Sequence, residues 1–107
     1  MELCEIKFED GKYKEISRLR IEVDPHTYLE KNWMPILDMP YHYIRWANPL
    51  EIVKVDPNNT SKIKVKEGTL TTIPCQSVIN KSYEFNAERG LRGGSQVLKY
   101  KDYYLAI

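Results

Sequence analysis

The hydrophobic pattern of most of this chain reads as short strands, some alternating with period two and some continuously apolar. No stretch of about ten residues carries the helical period of about 3.6. Leu3-Cys4-Glu5-Ile6-Lys7-Phe8 is a short β-like run, and Asp10-Gly11 after it is a hairpin signal. Leu19, Ile21 and Val23 alternate with Arg20 and Glu22, and Asp24-Pro25 closes that run. Asn32 to Leu37 is the next apolar segment, and Tyr41 to Trp46 returns from a turn marked by Pro40. Asn48-Pro49 breaks the pattern again. Leu50 to Val55 is apolar and rich in β-branched residues, and Asp56-Pro57-Asn58-Asn59 is a strong turn. Lys62-Ile63-Lys64-Val65-Lys66 alternates strictly, which predicts a solvated lysine face guarding a sheet edge. Gly68 ends that run, and Leu70 to Ile73 reads as one more strand. Pro74 to Leu91 is polar and reads as a long connection, with a short strand around Ser82 to Phe85. The expected fold is all-β, an antiparallel meander in one domain spanning 1–107.

An internal echo changes this picture. Trp33-Met34-Pro35-Ile36, four residues, then Tyr41-His42-Tyr43-Ile44 matches Ser95-Gln96-Val97-Leu98, four residues, then Tyr103-Tyr104-Leu105-Ala106, displaced by 62 positions. A β-unit repeated at fixed spacing is how propellers are written in sequence. The same residues carry a family resemblance. Glu30-Lys31-Asn32-Trp33-Met34-Pro35, with Tyr43-Ile44 and Asn48-Pro49-Leu50-Glu51-Ile52, resembles a blade of the five-bladed β-propellers of carbohydrate-active proteins. These include glycoside hydrolase and phosphorylase relatives and propeller domains attached to glycosyltransferases. Arg92-Gly93-Gly94-Ser95-Gln96-Val97 with Tyr103-Tyr104-Leu105-Ala106 resembles the start of the next blade. The resemblance implies about two blades, with blade-like units at about 1–73 and 92–107. It places Glu30, Lys31, Asn32 and Trp33 near the top of one inner strand and Arg92, Gly93, Gly94, Ser95 and Gln96 near the top of the next, facing a sugar-binding cavity.

That chemistry is coherent. Trp33 can stack on a pyranose face or pack in a core. Glu30 accepts hydroxyl protons, and Asn32 and Gln96 both donate and accept. Arg92 presents a planar fork suited to phosphate or carboxylate, or pairs with Glu88 or Asp102. Gly93-Gly94 permits a close backbone approach or a positive φ. Glycoside hydrolysis needs two carboxylates flanking the bond. Glu30 is the one good catalytic candidate; Asp38 is expected to face solvent from its hairpin turn. A full propeller needs on the order of 200 residues or more, so chemistry would require the rest of the ring, from a longer parent chain or from self-association.

Composition narrows the classes. The chain has 107 residues, with 42% apolar and 29% charged, an ordinary globular mix. Net charge is +1, and the lysine face lacks interleaved aromatics, so no nucleic-acid partner is expected. No apolar run approaches the length of a membrane span. The first residues carry no basic-then-apolar leader, so a cytoplasmic protein is expected. Cys4 and Cys75 read as reduced thiols, and His26 and His42 lack the spacing of metal ligands, so neither metal nor cofactor is implied. Two functions stand: a propeller piece that binds or acts on a glycan or sugar phosphate, and a non-catalytic, tyrosine-rich β module that binds protein. Eight tyrosines and two tryptophans against two phenylalanines suit either.

Overall fold

A computed structural model describes residues 1–22, 32–65, 68–81 and 93–107, the side chains of Ile63 and Val65 excepted. The described residues form nine strands and no helix. All-β is the fold class. The chain divides into two compact units that interleave in sequence: Met1–Tyr28 with Asp56–Cys75, and Leu29–Val55 with Gln76–Ile107.

In the first unit, β1 (Glu2–Glu9) and β2 (Lys12–Glu22) form an antiparallel hairpin. Asp10 and Gly11 join them with φ of 52° and 74°. Positive φ at both positions matches the right-handed twist of the flanking strands. The register slips between Glu5↔Ser17 and Ile6↔Glu15, so Ile16 is an extra, bulged residue on β2. β6 (Ser61–Val65) pairs antiparallel with β7 (Gly68–Lys81), and β2 pairs with β7 in parallel through Arg20↔Thr72, Ile21↔Ile73 and Glu22↔Pro74. Ile21, Thr72 and Ile73 are buried. Thr72 is tolerated there because its hydroxyl shares a 2.9 Å hydrogen bond with Ser61 Oγ and donates at 3.4 Å to Glu22.

In the second unit, β3 (Met34–Pro35), β4 (His42–Ala47) and β5 (Leu50–Val55) are joined by antiparallel pairings. Met39 N–H donates to Ile36 O and His42 N–H to Met39 O, which knits the loop between β3 and β4. Asn48-Pro49, a cis peptide, turns β4 into β5. Here too one residue bulges: Ile44 opposes Ile52 and Trp46 opposes Glu51, leaving Arg45 extra on β4. β8 (Leu98–Tyr100) and β9 (Tyr103–Leu105) make a separate hairpin. A parallel bridge joins Ile36 to Val97, where Val97 N–H donates to Pro35 O at 2.9 Å and Leu37 N–H to Val97 O at 3.1 Å. Met34, Ile36 and Val97 are the buried cluster, with Met39, Ile44 and Ile52 packed against it.

Three expectations are corrected. The fold is not purely antiparallel, because β2–β7 and Ile36–Val97 pair in parallel. β7 does not end at Ile73 but runs through Pro74 to Lys81. A proline argues against a continuing strand, and the exposed residues beyond Pro74 carry no one-sided apolar pattern to reveal one. Gly68 does not merely end the lysine-rich strand; it opens β7, paired with Val65. The two echoing hairpins both form, but out of step by one residue. Ile36 is buried, while Leu98, its counterpart in the repeat, is exposed, and Val97 holds the inward place instead. A slip of one residue exchanges the faces of a strand.

Candidate functional site

The expected sugar site divides into residues the structure describes and residues it does not. Glu30, Lys31 and Arg92 lie outside the described residues, as do Glu88 and His26. Asn32 is exposed at a φ of 61°, and Gln96 is exposed. Downstream of the two motifs, Pro35 to Leu37 runs beside Val97 through the parallel bridge, and Met34 lies against Gly93.

The side chains at this meeting are placed for packing. Trp33 is only 6% exposed, and its ring lies 6.0 Å from that of Tyr43, tilted by 51°. A sugar platform needs an open aromatic face. Burial also pushes the Tyr43 phenol above its ordinary value, with the neighbouring Tyr41 adding to the shift. Gly93 is needed for space, since a Cβ there would press into Sδ and Cε of Met34 and lie 3.2 Å from Cγ. The close approach that glycine permits is thus made by the chain's own core residue. Gly94 has open space around it. Ser95 Oγ accepts from Ile107 N–H at 2.7 Å and donates to Gln96 O at 3.0 Å. Ser95 N–H also donates to Ile107 O at 3.2 Å. Asp38 is not purely solvated; its carboxylate accepts from Tyr104 OH at 3.2 Å and faces Lys99 Nζ at 3.9 Å. His42 Nδ1 lies 2.9 Å from Pro40 O. No group of three or more His, Cys, Asp or Glu is arranged as metal ligands among the described residues.

A second surface in the same unit lies on the β8–β9 hairpin. Leu98 pairs with Leu105 and Tyr100 with Tyr103, so all four side chains stand on one face of the β8–β9 hairpin. Each is more than half exposed, and Tyr103 reaches 69%. The other face carries Lys99 and Tyr104, both engaged with Asp38. Lys101 at the turn sits 5.4 Å from the Tyr100 ring. Among the described strands β9 pairs only with β8. No other described strand covers the second edge of β9, where Tyr104 turns its backbone N–H and C=O away from β8 beside a patch of four large apolar side chains. The signal for it was available: Leu98-Lys99-Tyr100 and Tyr103-Tyr104-Leu105 each place two such residues at a spacing of two.

No family model matches the chain, and no curated protein or solved structure matches it at a significant level. Among the described residues, no helix is long and apolar enough to cross a membrane.

Proposed function

We propose that this chain is a non-catalytic β-rich module that binds an extended segment of a partner protein along the β8–β9 hairpin. The observation that carries the reading is the coincidence of an open strand edge on β9 with the exposed face of Leu98, Tyr100, Tyr103 and Leu105. Strand addition to such an edge takes its affinity from main-chain hydrogen bonds. Its specificity comes from alternate side chains of the added strand. Contiguous exposed apolar patches mark interaction sites, and tyrosine supplies large contact area with few torsions to freeze. The preferred ligand alternates apolar residues, with an acidic residue where Lys101 can meet it.

The test is selection from a random displayed-peptide library on the purified chain, alongside the double variant Tyr100→Lys/Tyr103→Lys. Peptides with alternating apolar positions should be enriched on the first and lost on the second. Equal enrichment on both would overturn the reading.

A second reading rests on one observation, the parallel bridge of Ile36 to Val97, which joins the strand just after Asn32–Trp33 to the one just after Gly93–Gln96. On that reading the chain is a propeller piece that binds a glycan or sugar phosphate through Asn32 and Gln96, with Glu30, Lys31 and Arg92 supplying charge. A glycan array with Asn32→Ala and Arg92→Ala variants as controls tests it. Binding that both substitutions abolish would favour this reading over the first.

A further inference from the structure

The β1–β2 hairpin carries a different surface, at the opposite end of the sequence. Among the described strands β1 pairs only with β2, so its eight residues leave one edge open. The bulge lies on β2, which leaves β1 regular. On one face of the hairpin stand Cys4, Ile6 and Phe8 of β1, with Tyr13 opposite Phe8. Ile6 and Phe8 are more than half exposed and Tyr13 is 79% exposed, with the Phe8 and Tyr13 rings 4.9 Å apart. On the other face, Leu3 is followed by three charged residues of alternating sign, Glu5, Lys7 and Glu9.

We propose that β1 pairs antiparallel with β1 of a second copy of this chain, about a two-fold axis through Ile6. A two-fold axis normal to the shared sheet keeps like faces together, so it must pass through a residue. Charge excludes Glu5 and Lys7 as centres, and a centre at Phe8, which would also set Lys7 against Glu9, puts Ile6 opposite Asp10 beyond the end of the strand. Centred on Ile6, Glu5 of each copy faces Lys7 of the other on one side of the sheet. On the other side, Ile6 faces Ile6 and Cys4 faces Phe8, so the two apolar stripes merge. Centred on Glu5, two glutamates oppose each other. Centred on Lys7, two lysines oppose and Glu5 meets Glu9. Directly opposed like charges destabilise a strand pair and opposite charges support it. Lys7 already contacts Glu9 of its own strand, so pairing adds a second carboxylate to one ammonium. The occupant is a second copy because, centred on Ile6, the strand matches itself in charge at Glu5–Lys7 and in its apolar stripe of Cys4, Ile6 and Phe8, with Leu3 opposite Glu9 towards the ends.

Sedimentation across a concentration series tests the proposal on the whole chain. The chain should dimerise, and Lys7→Glu should weaken the dimer at least about tenfold, the loss of roughly 1.4 kcal/mol. Exchanging the charges in Glu5→Lys/Lys7→Glu should restore it, which a merely local effect of residue 7 would not do. A covalent readout fixes the register. In a Cys4→Ser/Ile6→Cys variant, the two thiols meet at the axis, and added oxidised glutathione should take up their two electrons and two protons to give a disulfide-linked dimer. Moving that cysteine to Phe8 in the Cys4→Ser background should abolish the cross-link. A chain that stays monomeric overturns the proposal. So does a dimer indifferent to Lys7→Glu, or one in which the charge exchange fails to rescue. Far-ultraviolet circular dichroism of each variant confirms that it still folds. Tyr103→Lys lies on the other hairpin and should leave this dimer unchanged.

Discussion

Gly93→Ala is the substitution that best exposes how the two motifs meet. The glycine is not in a left-handed conformation, so a methyl group brings no backbone strain of that kind. Its cost is spatial. The new Cβ would fall inside contact distance of Sδ and Cε of Met34, a side chain only 4% exposed. Met34 must then leave its rotamer or displace its packing partners Ile36 and Val97. Overpacking of this kind costs about 1–3 kcal/mol. Reduced freedom of the unfolded chain offsets roughly 0.4–1 kcal/mol of it. The expected net loss is about 1–2 kcal/mol. Met34→Ala alone should lose about 2–5 kcal/mol through the void it leaves. In that background Gly93→Ala should be neutral or stabilising, because the methyl enters the vacated space. Urea unfolding of the four proteins gives the coupling energy from midpoints at constant slope. Gly94→Ala, with open space around it, should shift stability by less than about 0.5 kcal/mol. If Gly93→Ala costs the same with and without Met34, the packing described for this glycine is wrong.

Other consequences follow from the same geometry. Arg45 and Glu51 are only 11% and 13% exposed with a guanidinium nitrogen 3.6 Å from the carboxylate, so Glu51→Gln should destabilise by about 1–3 kcal/mol in thermal unfolding. The folded Tyr43 phenol titrates above its unfolded value, so its contribution is fully present below that unfolded value. It is lost as pH rises through the folded one. Tyr43→Phe should flatten the alkaline loss of stability, and phenolate absorbance should show one late-titrating tyrosine disappear. Gly11→Val forces a β-branched residue to a φ of 74° and should cost the hairpin about 1–2 kcal/mol by the same unfolding assay.

Much of the fold was legible because many strands have one buried side. Leu50 to Val55 was read with the bounds β5 has, since Val53 and Val55 are buried and the turns at both ends are strong. Asp10-Gly11 declared its turn through residue types that accept positive φ. The first half of β2, Lys12 to Arg18, was missed because most of its side chains are exposed on both faces. The far half of β7 was missed for the same reason. Parallel pairing was illegible in principle: nothing local in Arg20–Glu22 says that Thr72–Pro74 lies alongside. Of the candidate site, the echo at fixed spacing points to two similar hairpins and says nothing of the parallel bridge between Ile36 and Val97. The fate of Trp33 was not legible, because an indole suits a core and a binding platform equally. Arg45 was passed over because a charged residue in a strand reads as outward, whereas the bulge lets it meet Glu51.

The central claim is that β9 and the face beside it receive an extended partner segment. Backbone amide spectra of the labelled chain test it directly, recorded with the peptide enriched from the library and, separately, with a mixture of oligosaccharides. The peptide should shift the amides of Tyr103, Tyr104 and Leu105 and slow hydrogen exchange at Tyr104, whose N–H faces away from β8, leaving Asn32 and Gln96 unmoved. Shifts at Asn32 and Gln96 with the oligosaccharides, and none at β9 with the peptide, would contradict the account.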